Sequence, residues 1–191
     1  MDRLRTALSF GGILPESMIE RAVEVYHEKH LKPQEFFMKS GQVAHSIGFV
    51  NEGILRSYTL DENGEEVTKY FIRQNQFVVH LESYYNLQPT NAAIQAVTDT
   101  HLYIIHRSDW ERLIEEFPKL FILSKSLSEA TLLNKIKDND FLNYGTALDK
   151  YREFLRRYPD LALQVPQQYI ASYLKITPQS LSRIRRQLAE D

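Results

Sequence analysis

The sequence predicts an α+β fold: an antiparallel β-roll or jelly-roll, then a long helix, then a C-terminal helix-turn-helix. Three observations carry that expectation. Between Leu31 and Ile105, short runs rich in Val, Ile, Phe and Tyr are separated by turn residues. After Ser108 the apolar spacing becomes helical and stays so. From Gln168 to Leu188, a small residue, a cap, a proline and apolar spacings fall in the register of two helices joined by a tight turn.

At the start, Leu14, Ile19, Ala22, Val23 and Tyr26 keep helical spacing, and Pro15 marks the first turn. The strand runs are EFFMKSGQ, GFVNEGILRSYTL, DENGEEVTKYFI, RQNQFVV, AAIQAV and HLYIIH. Alternation over Ile54–Leu60 predicts a strand with one covered and one open face. Asp61-Glu62-Asn63-Gly64 reads as a hairpin, because Asn-Gly adopts positive φ at low cost. Strands at this spacing predict an antiparallel roll or barrel.

In the helical part, Ser108-Asp109-Trp110-Glu111 reads as a capping box that opens a short helix ending before Pro118. Leu120, Leu123, Leu127, Ala130 and Leu133 then form one apolar stripe. It either packs on the barrel or pairs with its own copy across a twofold axis. Asn143-Tyr144-Gly145 interrupts it, and Thr146 caps a further helix with Leu148, Tyr151, Leu155 and Tyr158 that stops at Pro159. The spacing divides the chain into 1–117 with the strands, 118–144 with the long helix and hinge, and 145–191 with the helix-turn-helix.

Composition narrows the function classes. The chain is 43% hydrophobic and 25% charged, enough apolar matter for a real core. It has no apolar run of membrane-spanning length and no secretory signal pattern, so a cytoplasmic protein is expected. Cysteine is absent, which excludes disulfides, thiolate metal sites and a cysteine nucleophile. Charge is uneven: from Thr146 onward there are eight basic and five acidic residues, against fifteen and twenty before it. A basic end on an acidic body is expected of a chain that meets a polyanion.

The C-terminal segment says which polyanion. Ile170 and Leu174 share a helix face, with Ala171 small enough beside them for close helix approach. Thr177 is an N-cap, Pro178 fits the first helical position, and Ile176 plugs the turn. Leu181, Ile184 and Leu188 give the second helix its buried stripe, leaving Gln179, Ser182, Arg183 and Arg186 outward. Such a face suits the major groove, where arginine pairs with guanine and glutamine with adenine. Lys175 and Arg185 stand at the flanks, where phosphate contacts fall. With Thr177 and Ser180 at the helix start, these residues are the expected DNA-binding set.

The whole chain resembles the Crp/Fnr regulators, in which a cyclic-nucleotide-binding-type β-roll precedes a dimerisation helix and a winged helix-turn-helix. The resemblance runs through Phe36–Gly41, Gly48–Arg56 and Asp61–Glu66, and is tighter over the C-terminal motif. It implies a sensor domain over 1–117, a dimerisation helix over 118–144 and a DNA-binding domain over 145–191, with base-reading positions at Gln179 and Arg183. It also implies double-stranded DNA, a second copy of the chain, RNA polymerase and a small-molecule effector as partners. Asn75 stands where the family usually has glycine, and asparagine tolerates a left-handed turn.

Three departures qualify the resemblance. The family's Gly-Glu pair for the ribose is Val79-His80 here, and Thr90 replaces the arginine that holds the cyclic phosphate. Without that bidentate contact, cyclic AMP is not expected in the usual way. A degenerate pocket would draw on His80, Tyr84, Tyr85, Thr90 and Asn91 for another ligand, or hold none. Lys175 occupies the usual glycine of the turn. No wing follows the recognition helix before Asp191.

Two other classes fit the sequence less well. A cupin-like metal enzyme lacks its His-x-His signature, and His101 and His106 fall on opposite strand faces, so neither a metal nor another cofactor is expected. No phosphate loop or nucleophile elbow occurs either, so no catalytic residues are assigned. A ligand-binding or dimeric scaffold without DNA affinity differs from the regulator by lacking steep salt dependence.

Overall fold

The computed structural model describes residues 1–190 and divides the chain into two compact units. The first comprises Met1–Ser57 and Phe71–Glu129; the second comprises Tyr58–Tyr70 with residues from Ala130 onward. No helix among the described residues is long and apolar enough to cross a membrane.

Helices α1 (Asp2–Leu8) and α2 (Glu16–Val23) open the chain. The helix α1, unforeseen from the sequence, is anchored by Leu4 and Leu8, both fully buried. Pro15 is the N-cap of α2 rather than a residue of its first turn. Eight strands follow: β1 (His27–Leu31), β2 (Phe36–Met38), β3 (Ser46–Glu52), β4 (Leu55–Leu60), β5 (Glu66–Ile72), β6 (Phe77–Val78), β7 (Ala93–Ala96) and β8 (Thr100–His106). A short helix, α3 (Leu81–Asn86), sits between β6 and β7.

The strands make two four-stranded sheets, ordered β1-β8-β3-β6 and β2-β7-β4-β5. This is the antiparallel roll the sequence predicted. Phe49, Val50, Leu55, Ile94, Leu102 and Ile105 are its buried apolar core. Strand β3 bulges beside β8, between Val50 and Glu52. Gly53, with φ +94, follows at once, and a Cβ there would lie 2.4 Å from the Asp99 carbonyl oxygen. Only glycine meets both demands.

Two strand expectations need correction. The alternation expected over Ile54–Leu60 is absent from its first half: Leu55, Arg56, Ser57 and Tyr58 are all buried. In the turn that follows, only Gly64 has positive φ. Asp61 organises that turn instead, its carboxylate accepting the N–H groups of Asn63 at 2.8 Å and Glu65 at 2.9 Å.

The remaining helices are α4 (Arg107–Glu116), α5 (Lys119–Asn143), α6 (Ala147–Arg157), α7 (Pro159–Gln164), α8 (Gln167–Leu174) and α9 (Pro178–Glu190). The capping box expected at Ser108 does not form: α4 begins at Arg107, and its N-cap His106 makes no side-chain cap bond. The cap expected at Thr146 does form, and the structure makes it a full capping box with Asp149 as its reciprocal partner.

The single stripe expected on α5 resolves into two. Leu120 and Leu123 are fully buried, whereas Phe121, Ile122, Leu132, Leu133 and Ile136 are exposed. At about 100° per residue the exposed five fall within one arc, roughly opposite the buried pair. Leu133 therefore belongs to the exposed stripe. Farther along α5, Asp138 accepts hydrogen bonds from Arg157 at 3.0 Å and from the hydroxyls of Tyr158 and Tyr173.

Candidate nucleic-acid interface and effector pocket

The helix-turn-helix is built from α8 and α9. Between them Lys175 adopts the left-handed conformation, φ 56 and ψ 44. Its N–H donates to the Ser172 carbonyl at 3.1 Å, and the Ile176 N–H donates to Ala171 at 3.0 Å. That pair of bonds is a Schellman end, which usually recruits glycine. Lysine tolerates it because its ammonium also donates to Asn143 Oδ1 at 2.7 Å and both backbone bonds are satisfied.

Thr177 then caps α9: its Oγ1 accepts from the Ser180 N–H at 3.1 Å, and Pro178 is the first helical residue. The hydroxyls of Thr177 and Ser180 also lie 2.9 Å apart. Both side chains are thus engaged in starting the helix. Leu181 and Ile184 are buried beneath it. Gln179, Ser182, Arg183 and Arg186 are exposed on the other face, while Arg185 is half-buried at its edge.

The basic residues of this end divide into two kinds. Arg156 and Arg157 are both paired with Glu153, and Arg157 also with Asp138. These two arginines hold the Glu153 carboxyl down to about 2. By contrast, Arg183, Arg185 and Arg186 enter no ion pair among the described residues. Within the described residues, nothing competes with an outside anion for their charge.

The expected effector residues lie in the first unit and are not all together. His80 caps α3 through Nδ1, which accepts the Ser83 N–H at 3.3 Å. Its Nε2 lies 3.1 Å from Thr90 Oγ1. Tyr84 is buried beneath Arg107, whose guanidinium stands 5.1 Å from the ring centroid. Burial pushes the Tyr84 hydroxyl up to about 12, and that hydroxyl has no hydrogen-bond partner among the described residues. Tyr85 and Asn91 face solvent.

One polar residue of the roll was missed. Arg56 is 1% exposed, and its Nε and Nη2 donate to Gln95 Oε1 at 3.2 and 2.7 Å. Gln95 in turn donates to Gln34. A charged residue within a buried strand was the available signal, since arginine is seldom fully buried without such partners.

Residues 28–117 match the model of the cyclic nucleotide-binding domain. No curated protein matches the sequence. The structure of FixK2 from Bradyrhizobium japonicum is similar at 21% identity, covering 87% of this chain and 85% of that one, with a TM-score of 0.72. The chain has the Crp/Fnr fold. The c-di-GMP responsive global regulator CLP of Xanthomonas campestris is 15% identical over 93% of each chain, with a TM-score of 0.72. The catabolite activator protein of Thermus thermophilus is 20% identical over 96% of this chain and 87% of that one, with a TM-score of 0.59. At these identities the likeness is one of fold. A Crp/Fnr fold accounts for the roll, the long α5 and the paired α8 and α9 in that order.

Proposed function

We propose that the protein is a homodimeric transcription regulator of the Crp/Fnr type that reads duplex DNA through α9. The observation that carries this reading is the unpaired, exposed face of Gln179, Ser182, Arg183 and Arg186 on the second helix of a helix-turn-helix. Arginine and glutamine there have the geometry for bidentate base contacts, and Lys175 and Arg185 flank them for phosphates. The exposed apolar arc of α5 supports a second copy as the partner of that helix. Two recognition helices would then enter successive major grooves about 34 Å apart.

Cyclic AMP is not the effector in this reading. The side chains at the ribose and phosphate positions, His80 and Thr90, lie within hydrogen-bond distance of each other, and Thr90 supplies no bidentate cation to a phosphate. Another small molecule would act by binding the DNA-competent and incompetent states unequally. The protein is not an enzyme in this reading, and its setting is the cytoplasm.

The test is binding to labelled duplex from the chain's own upstream region and to a random-sequence pool, with wild type and Arg183→Ala. Salt-sensitive binding that the substitution abolishes is the expected result. Failure of the wild type to select any sequence from the pool would favour the dimeric scaffold.

A further inference from the structure

A cluster in the first unit remains outside everything described so far. Strands β1 and β8 pair antiparallel, and their register sets His30 directly opposite His101. The two imidazole rings stack with centroids 4.4 Å apart and planes 2° from parallel. Glu28 precedes His30 by two residues, so both side chains leave β1 on the same face. The Glu28 carboxylate lies 3.8 Å from His101 Nε2. One ligand atom from each of the three residues falls within 4.8 Å of the other two.

We propose that Glu28, His30 and His101 form a binding site for a borderline divalent transition-metal ion, of the Zn²⁺ or Co²⁺ kind, bridging β1 to β8. Two imidazoles and a carboxylate are the donors such ions take, and solvent completes the shell. With bonds of about 2.0–2.1 Å, tetrahedral ligands stand roughly 3.4 Å apart. The Glu28–His101 distance is already close to that. Glu28 and His30 are exposed and have room to close the rest.

The second observation is an orphan atom. Among the described residues, the buried His101 Nε2 has no hydrogen-bond partner, an arrangement that proteins rarely leave uncompensated. The other ring nitrogen, Nδ1, lies 3.2 Å from the side-chain amide of Asn51. The near atom is the amide nitrogen Nδ2; turning the amide would present its oxygen to Nδ1, so that Nδ1–H could donate there when Nε2 takes the metal. Ligating histidines usually have such a partner. Asn51 is therefore a positioning residue. Turning its amide costs no other side-chain bond, because Arg3 and Gln74 use its backbone carbonyl instead.

Spacing along β8 alone concealed this site. His101 and His106 do lie apart, and His106 stacks with His45 at 6.1 Å. The partner of His101 comes from another strand.

The experiment is titration of chelator-treated full-length protein with Co²⁺, read by visible absorption, and with Zn²⁺, read by competition with a chromophoric chelator. One ion per chain is expected, with a rise in melting temperature as the ion clamps β1 to β8. His30→Ala and Glu28→Gln, both at exposed positions, should weaken binding at least tenfold, and Asn51→Ala by about tenfold. His45→Ala should leave it unchanged. Undiminished binding in His30→Ala, or no binding at about 1 mM metal, a weak limit on the affinity scale, overturns the proposal.

Discussion

Asp138 on α5 accepts a hydrogen bond from the Tyr173 hydroxyl of α8 at 3.3 Å, so one carboxylate joins the long helix to the first helix of the helix-turn-helix. Arg157 and Tyr158 converge on the same carboxylate, which is only 18% exposed. Burial and the Asp138 charge together push the Tyr173 hydroxyl well above its ordinary range. Removing the carboxylate leaves a partly buried guanidinium and two hydroxyls short of an acceptor. Asp138→Ala should cost about 2–3 kcal/mol. Urea unfolding followed by helical circular dichroism measures this, and a loss below about 0.5 kcal/mol would reduce the cluster to a surface ornament.

Lys175 keeps a left-handed backbone that costs a non-glycine residue about 1 kcal/mol. Lys175→Gly should therefore stabilise the protein, by up to about 1 kcal/mol less the lost bond to Asn143. DNA affinity should move the other way, because a flanking cation disappears. Thermal unfolding and duplex titration on the same variant check the two signs. A variant that loses both stability and affinity would mean that the lysine is needed to hold the turn.

The helix-turn-helix was legible because its determinants are local. The Thr177 cap, Pro178, Ala171 and the Leu181–Ile184 step all act within a turn or two of themselves. What depended on register was not legible. The pairing of His30 with His101, and of Arg56 with Gln95, requires knowing which strands lie side by side. The α5 stripe misled for another reason. Its apolar residues serve two opposite faces, and a periodicity search merges them into one. The break at Gly145 and the cap at Thr146 were local again, and were readable.

Arg183 and Arg185 differ in exposure and should differ in effect. Arg183 points outward from the middle of α9, whereas Arg185 lies at its half-buried edge. Arg183→Ala should cost about 1–3 kcal/mol on the preferred site and relax the choice of base at one position. Arg185→Ala should weaken all sequences alike and reduce the salt slope by about one. Equal effects on specific and random duplex for both variants would remove Arg183 from base reading.

Glu153 gives the helical unit a defined acid response. Arg156 and Arg157 hold its carboxyl down to about 2, from an ordinary value of 4.5. A depressed folded-state value means that the stabilisation is fully present above 4.5 and is lost as pH falls through about 2. Glu153→Gln should thus be less stable than wild type at neutral pH, with the gap closing across that acid window. Chemical unfolding at stepped pH follows the gap. A constant difference down to the lower limit would show that the arginines leave this carboxyl unperturbed.

The pairing of His80 with Thr90 bears on the effector. A cyclic phosphate entering the roll would need a cation where Thr90 stands, and would have to break a hydrogen bond of 3.1 Å that already satisfies both side chains. Wild-type protein should therefore show no rise in melting temperature with cyclic AMP. A ligand at a hundred times its dissociation constant would add about 2.7 kcal/mol, which is easily seen. The combined substitution Val79→Gly, His80→Glu and Thr90→Arg supplies the carboxylate and the bidentate cation together, and should produce a shift. A clear shift in the wild type would mean that another group, with the buried Arg56 the first candidate, meets the phosphate in place of Thr90.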